Sequence, residues 1–337
     1  MRLAGSGWGK GFGIVPSGNG RGFQATWIGM GVPVGPRLRE KAPGLHRFLT
    51  REDSPYPAVR EVVAGALVIL LLLGCLYAFT AQPIAGGYPV VVVTSGSMMH
   101  CTNAGEATAS LGKGCIDPNY GRIGTIDPGD LVFVRHITQR TDVSTLAAAG
   151  SGHYGKAGDV IVYRPGGSTQ VTPIIHRALF WVQVNDSDNT YSVPDLNLYH
   201  VATLDQPQVT SLAKCALGSS GPHHWTMADS GFITKGDNNQ VADQCSGSIT
   251  FYPAKLDWVL GKARGELPWF GLIKLFVDDL RGPTQNFSNA SSDSKVMLAI
   301  SLGVLIALPY GVTALRNRAR GKKATNDEPV EPPTRPS

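Results

Sequence analysis

Two long apolar runs divide the chain. Val62–Thr80 and Val296–Leu315 contain no charged residue, and each reaches the length of about 20 residues that a helix needs to cross a bilayer. Pro309 lies inside the second run, where a membrane-spanning helix tolerates proline. The first run begins too far along the chain to be a cleavable signal peptide. The pattern therefore predicts transmembrane helices at 62–80 and 296–315, with buried core helices as the alternative.

Between these runs, the pattern changes to short apolar strands that follow turns. Gly-Asp turns precede apolar segments at 129–134 and 158–163, a combination typical of β-strands. Further strands are predicted at 88–94, 174–184, 248–252 and 258–260. Residues 185–230 are polar and rich in turn formers, which predicts an insertion on a mainly β domain that spans 81–276. A linker is predicted at 277–295.

The distribution of charge determines the predicted topology. The net charge is +5 and 16% of the residues are charged, but no basic stripe with interleaved aromatic residues indicates nucleic-acid binding. Lys and Arg residues precede the first span and follow the second, whereas none follows the first span until Lys113. The positive-inside rule then predicts a two-pass protein of the cell membrane with both termini in the cytoplasm. The predicted cytoplasmic parts are residues 1–61, largely disordered, and the basic tail at 316–337.

The cysteines agree with an external central domain. The chain has five of them, and Cys75 lies in the first span. The other four fall in the central domain, where an even number in an oxidising compartment suggests two disulfides. Three pairings are possible, and we favour the pairing of sequence neighbours, Cys101 with Cys115 and Cys215 with Cys245. Free buried thiols are the alternative, and no C-x-x-C spacing supports a zinc site.

Three segments together suggest nucleophilic catalysis. Ser95-Gly96-Ser97 forms a turn at the end of a β-branched strand, which suits a nucleophile held on a rigid element. A serine nucleophile needs a base, and His176 lies in an apolar strand. A base needs an orienting carboxylate, which Asp237 and Asp243 both offer. Taken singly, these features are also typical of a solvated turn, a structural histidine and a turn-rich loop.

The order of these segments resembles signal peptidase I. The matching segments are SGSM at 95–98, a Gly-Asp turn with its strand, His176-Arg177, and KGDNN at 235–239 with the trailing Asp243. Histidine in place of lysine as the base is similar to the archaeal and endoplasmic-reticulum branch, which some Gram-positive bacteria share. GKARGELPWFG at 261–271 extends the resemblance, which covers roughly residues 60–276 and leaves the insertion unmatched.

The resemblance implies both a fold and an activity. The fold is a signal-peptidase-type β catalytic domain with a long insertion, anchored by two transmembrane helices. The activity is that of a membrane-bound serine endopeptidase, which removes signal peptides from secreted preproteins after small residues on the extracytoplasmic membrane face. No metal or organic cofactor is implied. The expected partners are preproteins that carry signal peptides, membrane lipid and the secretion machinery, and not nucleic acid.

The resemblance also assigns roles to individual residues. The implied catalytic residues are Ser97 as nucleophile, His176 as general base, Asp243 orienting the base and Asp237 supporting the site. Ser95 is expected to help hold the oxyanion, and Met98 to line the pocket for the small residue before the cut. Spacing does not separate the two carboxylates, because both lie on one short segment, so their roles are open to exchange.

Several alternatives remain open at this point. His100 stands one residue after Met99, where the family usually has Ser-Gly-Ser-Met-x-Pro, and it competes with His176 as base. Neighbours in an extended segment point to opposite faces, which disfavours His100. The alternative functions are a catalytically inactive membrane binding or assembly module, a receptor with an external β domain, and a dedicated processing peptidase for a few substrates.

Overall fold

A computed structural model describes residues 44, 57–101, 121, 124–150, 152–217, 229–245, 249–282 and 286–326. Most of the predicted disordered segment at 1–61, the end of the basic tail and Cys115 therefore lie outside the described residues. The chain divides into two units within its first helix, after Val68. The β domain and the candidate site belong to the second unit, Ile69–Ser337.

Two long helices match the apolar runs. Helix α1 spans Pro57–Thr80 and helix α5 spans Ser292–Asn326, with Pro309 inside it. The apolar stretch of α1 has a mean hydropathy of 2.7, and 0% of it is buried within the protein. The apolar stretch of α5 has a mean hydropathy of 2.1, and 6% of it is buried. Among the described residues, these two helices are long and apolar enough to cross a membrane. Such exposed apolar surface is stable in lipid but costly in water.

Between the helices, the described residues form an antiparallel sheet of eight strands. The strands are β1 (Val90–Val92), β2 (Leu131–Arg135), β3 (Val160–Tyr163), β4 (Ile174–Asn185), β5 (Thr190–Val193), β6 (Leu198–Val201), β7 (Gly231–Lys235) and β8 (Val259–Leu267). Their order is β1-β2-β8-β3-β4-β5-β6, and β7 pairs with β4 off this path. All pairings are antiparallel. The predicted fold class, a mainly β domain with two apolar helices, is therefore confirmed.

Both predicted Gly-Asp turns are present at the starts of strands. Gly129 and Gly158 have φ values of 97° and 83°, a left-handed conformation that glycine adopts without steric cost. Gly129 N–H donates to the Val93 carbonyl at 2.9 Å, and Val93 N–H donates to the Asp130 carbonyl at 3.0 Å. The first turn thereby ties the start of β2 to the segment that follows β1. That segment leads directly into the Ser-Gly-Ser turn.

The polar insertion contributes apolar residues to the core. It contains β5, β6 and a short helix, α2 (Pro207–Ala213). Its apolar side chains join one core cluster with residues of β4 and β7. The members at most 1% exposed are Val193, Leu204, Val209, Ala213 and Leu217. Their burial stabilises the contact between the insertion and the sheet.

Two other segments differ from the sequence predictions. Residues 249–252, within the strand predicted at 248–252, form no strand, because the amides of Ile249 and Thr250 both donate to the carbonyl of Asp243 at 3.1 Å. The linker predicted at 277–295 contains helical residues. They include the end of helix α3 (Leu272–Arg281) and all of helix α4 (Asn286–Asn289).

Candidate active site

Three side chains from distant parts of the sequence meet in one chain of hydrogen bonds. Ser97 Oγ lies 2.9 Å from His176 Nε2, and His176 Nδ1 lies 2.6 Å from Asp243 Oδ2. His176 is 3% exposed and Asp243 is fully buried. A neutral imidazole in this position donates from Nδ1 to the carboxylate and accepts the serine proton at Nε2. This is the order of nucleophile, base and carboxylate found in serine hydrolases.

The turn that carries Ser97 is held by the loop after β7. Asn238 donates its backbone N–H to the Ser97 carbonyl at 2.9 Å, and its side-chain amide donates to the Gly96 carbonyl at 3.2 Å. Gly236 allows this close approach, because a Cβ there would lie 2.6 Å from the Ser97 carbonyl oxygen. The KGDNN segment therefore acts on the nucleophile through its backbone and its asparagine.

Asp243 is fixed by two further donors besides His176. Tyr163 Oη donates to Asp243 Oδ2 at 2.8 Å, and Thr234 Oγ1 donates to the same oxygen at 2.7 Å. Burial, and secondly the charge of Asp243, raises the pKa of Tyr163 well above its usual value, so the phenol keeps its proton. Gln244 Nε2 in turn donates to Thr234 Oγ1 at 3.1 Å. Sequence reasoning did not single out Tyr163 or Thr234, although they end β3 and precede the KGDNN segment.

Asp237 belongs to a separate ion-pair network. Arg177 Nε and Nη2 donate to its two carboxylate oxygens at 2.8 Å and 2.6 Å, and His100 Nε2 lies 2.8 Å from Oδ2. Burial raises the pKa of Asp237, but the hydrogen bonds and charges of Arg177, with His100, outweigh it and hold the pKa well below its usual range. His176 is therefore hydrogen-bonded to Asp243, whereas His100 is hydrogen-bonded to Asp237.

A cleft of about 290 Å³ opens beside Ser97. The described residues that line it are Val92, Val93, Thr94, Ser95, Ser97, Thr172, Pro173, Ile174, Ile175, His176, Asn239 and Ile249. Ser95 Oγ lies 3.2 Å from Ser97 Oγ at this cleft. Met98, expected to line the pocket, is 2% exposed and packs in a core cluster with Val132 and Val160.

The cysteines follow the favoured pairing where the structure describes them. Cys215 and Cys245 form a disulfide. Cys101 is also disulfide-bonded, and its predicted partner Cys115 lies outside the described residues. Cys75 is a free, exposed cysteine in α1. Among the described residues, no group of three or more His, Cys, Asp or Glu side chains is arranged to hold a metal ion.

The site thus holds a serine, a histidine and an aspartate in one hydrogen-bonded chain, and the sequence was compared with known proteins. No family model matches the chain. The chain is similar to "Signal peptidase complex catalytic subunit SEC11C" from human, mouse and dog, with 27% identity over 117 residues in each case. The match covers 33% of this chain and 55% of each relative, so the chain spans about half the length of the curated relatives it matches. This distant similarity supports a relationship to signal peptidases and, with the two apolar helices, a membrane location.

Proposed function

We propose that this chain is a membrane-bound serine endopeptidase that removes signal peptides from secreted preproteins after small residues. It would belong to the signal peptidase branch that uses a Ser-His-Asp triad. The observation that carries the proposal is the hydrogen-bonded chain from Ser97 through His176 to Asp243 beside an open cleft. The similarity to a signal peptidase catalytic subunit supports the same reaction here.

The reaction follows from the order of these three groups. Ser97 Oγ attacks the carbonyl carbon of the scissile peptide while His176 Nε2 takes the hydroxyl proton. Asp243 stabilises the imidazolium and keeps its own charge. When the tetrahedral intermediate collapses, His176 returns the proton to the leaving amine. A water molecule, deprotonated by His176, then releases the acyl group from Ser97.

The oxyanion that forms on the attacked carbonyl needs donors beside Ser97. In our proposal the two donors are Ser95 Oγ and the backbone N–H of Ser97, and the 3.2 Å between Ser95 Oγ and Ser97 Oγ supports the first of these roles. A single donor of this kind contributes a factor of about 10² to 10³ in rate.

The walls of the cleft favour a substrate in an extended conformation. Its walls include two backbone stretches, 92–95 and 172–175, beside which a peptide can bind as an additional strand through main-chain hydrogen bonds. Ile249 and Ile175 add apolar surface to the same cleft. The preference for small side chains in our proposal rests on the similarity to signal peptidases.

The membrane arrangement we propose places the β domain outside the cell membrane and both termini in the cytoplasm. The flanking Lys and Arg residues support this orientation, and so does the Cys215–Cys245 disulfide, because such bonds persist in oxidising compartments. Ser97 follows the end of α1 at Thr80 closely in sequence. The cut would therefore fall just above the bilayer, where the helical part of a signal peptide ends.

The test is cleavage of a preprotein by the detergent-solubilised chain. We expect one cut, after an Ala-x-Ala site, and loss of that cut when the residue before it becomes Phe. His176→Ala should abolish cleavage, whereas His100→Ala should retain the triad and much of the rate. No cleavage of any preprotein by the wild type would favour the inactive membrane module. Activity of His176→Ala with loss in His100→Ala would show that the proposed base is wrong.

A further inference from the structure

The segment that carries Asp243 is fastened to the insertion at two points. Cys245, two residues after Asp243, is 4% exposed and is bonded to Cys215. Ala242, immediately before Asp243, donates its N–H to the Ala213 carbonyl at 2.8 Å. Ala213 is the last residue of helix α2. The insertion therefore holds the chain on both sides of the carboxylate.

The C-terminal end of α2 is shaped for this contact. Lys214 follows the helix in the left-handed conformation, with φ of 62°, which turns the chain so that Cys215 reaches Cys245. Val209 on the same helix is fully buried and packs in one cluster with Ala242 and Cys245. Helix α2 is thus anchored in the core, and it provides a firm support for the disulfide.

The sheet contributes the other half of the support. The Asp243 N–H donates to the Thr234 carbonyl at 2.8 Å, and Gln244 Oε1 accepts from the Thr234 N–H at 3.0 Å. Oδ2 of Asp243 must stay within hydrogen-bond range of three donors at once. Such bonds weaken steeply with distance and angle, so a displacement of about 1 Å costs a large factor in rate.

We propose that the Cys215–Cys245 disulfide and helix α2 of the insertion are a positioning device for Asp243. The inference rests on the proposed function and adds to it. The insertion, which has no counterpart in the motif pattern, holds the carboxylate segment against β7 and so keeps His176 aligned with Ser97. Neither Cys215 nor Cys245 is among the described residues that line the cleft, so we expect the disulfide to act on the rate through Asp243.

The kinetic test compares Cys215→Ala/Cys245→Ala with the wild type on the same preprotein. We expect kcat to fall about tenfold, the scale on which neighbouring residues couple, with KM within about twofold. In an Asp243→Asn background, the same double change should cause less than about twofold further loss, because the group it acts through is already disabled. Cys75→Ala, at the free cysteine of α1, is the matched control and should be neutral.

A second variant distinguishes a loss of stability from a displacement of Asp243. Val193→Ala, on β5 and not on α2, leaves a cavity in the same cluster and lowers the melting temperature, but it keeps both the disulfide and the packing of α2, so kcat should remain within about twofold. A wild-type kcat in the cysteine double variant would overturn the proposal. An equally large fall in kcat when the two cysteines are replaced in the Asp243→Asn background would also overturn it.

Hydrogen exchange gives a readout that does not depend on activity. In the wild type, the amides of Ala242 and Asp243 should exchange as slowly as those of β7, and the cysteine double variant should expose them while the Ser97 turn stays protected. Fast exchange of these two amides in the wild type would contradict the proposal even if the double variant did not fold. If the wild type cleaves no preprotein, the proposed function fails, and hydrogen exchange still decides whether the disulfide fixes the segment.

Discussion

At the residue scale, two buried carboxylates on one short segment have different partners. Asp243 accepts hydrogen bonds from His176, Tyr163 and Thr234. Asp237 pairs with Arg177, whose side chain is 1% exposed. In the proposed mechanism, the first carboxylate stabilises a positive charge that develops on His176, whereas the second pairs with the buried guanidinium of Arg177. Their substitution should therefore affect different properties of the protein.

Asp243→Asn should remove the orientation of His176 and lower kcat by about 10⁴-fold, while the protein stays folded. Asp237→Asn leaves the Arg177 guanidinium buried without a compensating charge, which should cost about 3 kcal/mol of stability. The measurement is kcat and the melting temperature for both variants, with kcat taken where both are folded. A far larger loss of kcat in Asp237→Asn than in Asp243→Asn would mean that the two carboxylates exchange roles.

Asp130 predicts a pH dependence of stability. Burial, and secondly the charge of Asp127, raises its pKa from 3.8 to about 8, although the N–H groups of Asp127 and Trp269 oppose the shift. The folded state then holds a proton that the unfolded state releases above pH 3.8. The protonated carboxyl of Asp130 contributes fully to the stability of the folded state below that pH. This contribution is lost as the pH rises towards 8, and the free energy of unfolding then falls by up to about 1.4 kcal/mol per pH unit.

Thermal unfolding in detergent between pH 4 and 8 should therefore show wild-type stability falling relative to Asp130→Asn as the pH rises, because asparagine does not titrate. Other titrating groups are common to both proteins, so the difference between the two curves isolates Asp130. Parallel curves would show that the carboxyl of Asp130 titrates normally.

The sequence accounted for part of this residue-level arrangement. Ser97 and His176 each stand in a recognisable segment, and the fold brings them within 2.9 Å. Spacing did not decide between the two carboxylates, because a loop can present either one. Tyr163 and Thr234 escaped notice because their contact with Asp243 depends on β3 and β7 both pairing with β4, and the sequence does not reveal strand order.

At the element scale, the loop after β7 fits closely against the nucleophile turn. Gly236→Ala would put a Cβ 2.6 Å from the Ser97 carbonyl oxygen, and backbone cannot move aside as a flexible side chain does. We expect kcat to fall by about 10-fold to 100-fold through displacement of Ser97, together with a lower melting temperature. Gly282→Ala is the matched control, since no atom lies within 4 Å of an added Cβ there. Equal activity of the two variants would show that the loop does not constrain Ser97.

Elements were predictable where the local pattern was strong. The strands at 129–134 and 158–163 were predicted from glycine turns followed by apolar residues, and they form β2 and β3. Helix α3 was missed because it is short and only its inner face is buried, at Leu272 and Leu275. The insertion was predicted from its polar composition, but its core contacts depend on residues brought together by the tertiary fold.

At the scale of the whole molecule, both apolar helices make hydrogen bonds to the β domain. The His136 N–H donates to the Thr80 carbonyl at the end of α1 at 2.8 Å, and Trp269 Nε1 donates to Ser301 Oγ on α5 at 3.0 Å. Leu298 of α5 belongs to a core cluster against which Val92 of β1 packs. Since Val92 also lines the cleft, the site would lie close to the membrane surface in the proposed arrangement.

The proposed orientation predicts a specific pattern of accessibility. In intact cells, added protease should cut the β domain, whereas epitope tags at the two termini should remain protected. Permeabilisation of the membrane should make both tags accessible, which serves as the control. If the added protease instead cuts the tags and spares the β domain in intact cells, the orientation is the reverse of the one we propose.

The most direct test of the account is the rate at which Ser97→Ala cleaves a preprotein. The variant should insert into the membrane and fold like the wild type, since the change removes one hydroxyl, yet its rate should fall by at least about 10³-fold. Ser187→Ala, at an exposed turn, is the matched control and should cleave at the wild-type rate. Cleavage by Ser97→Ala at the wild-type rate would contradict the assignment of Ser97 as the nucleophile and, with it, the proposed mechanism.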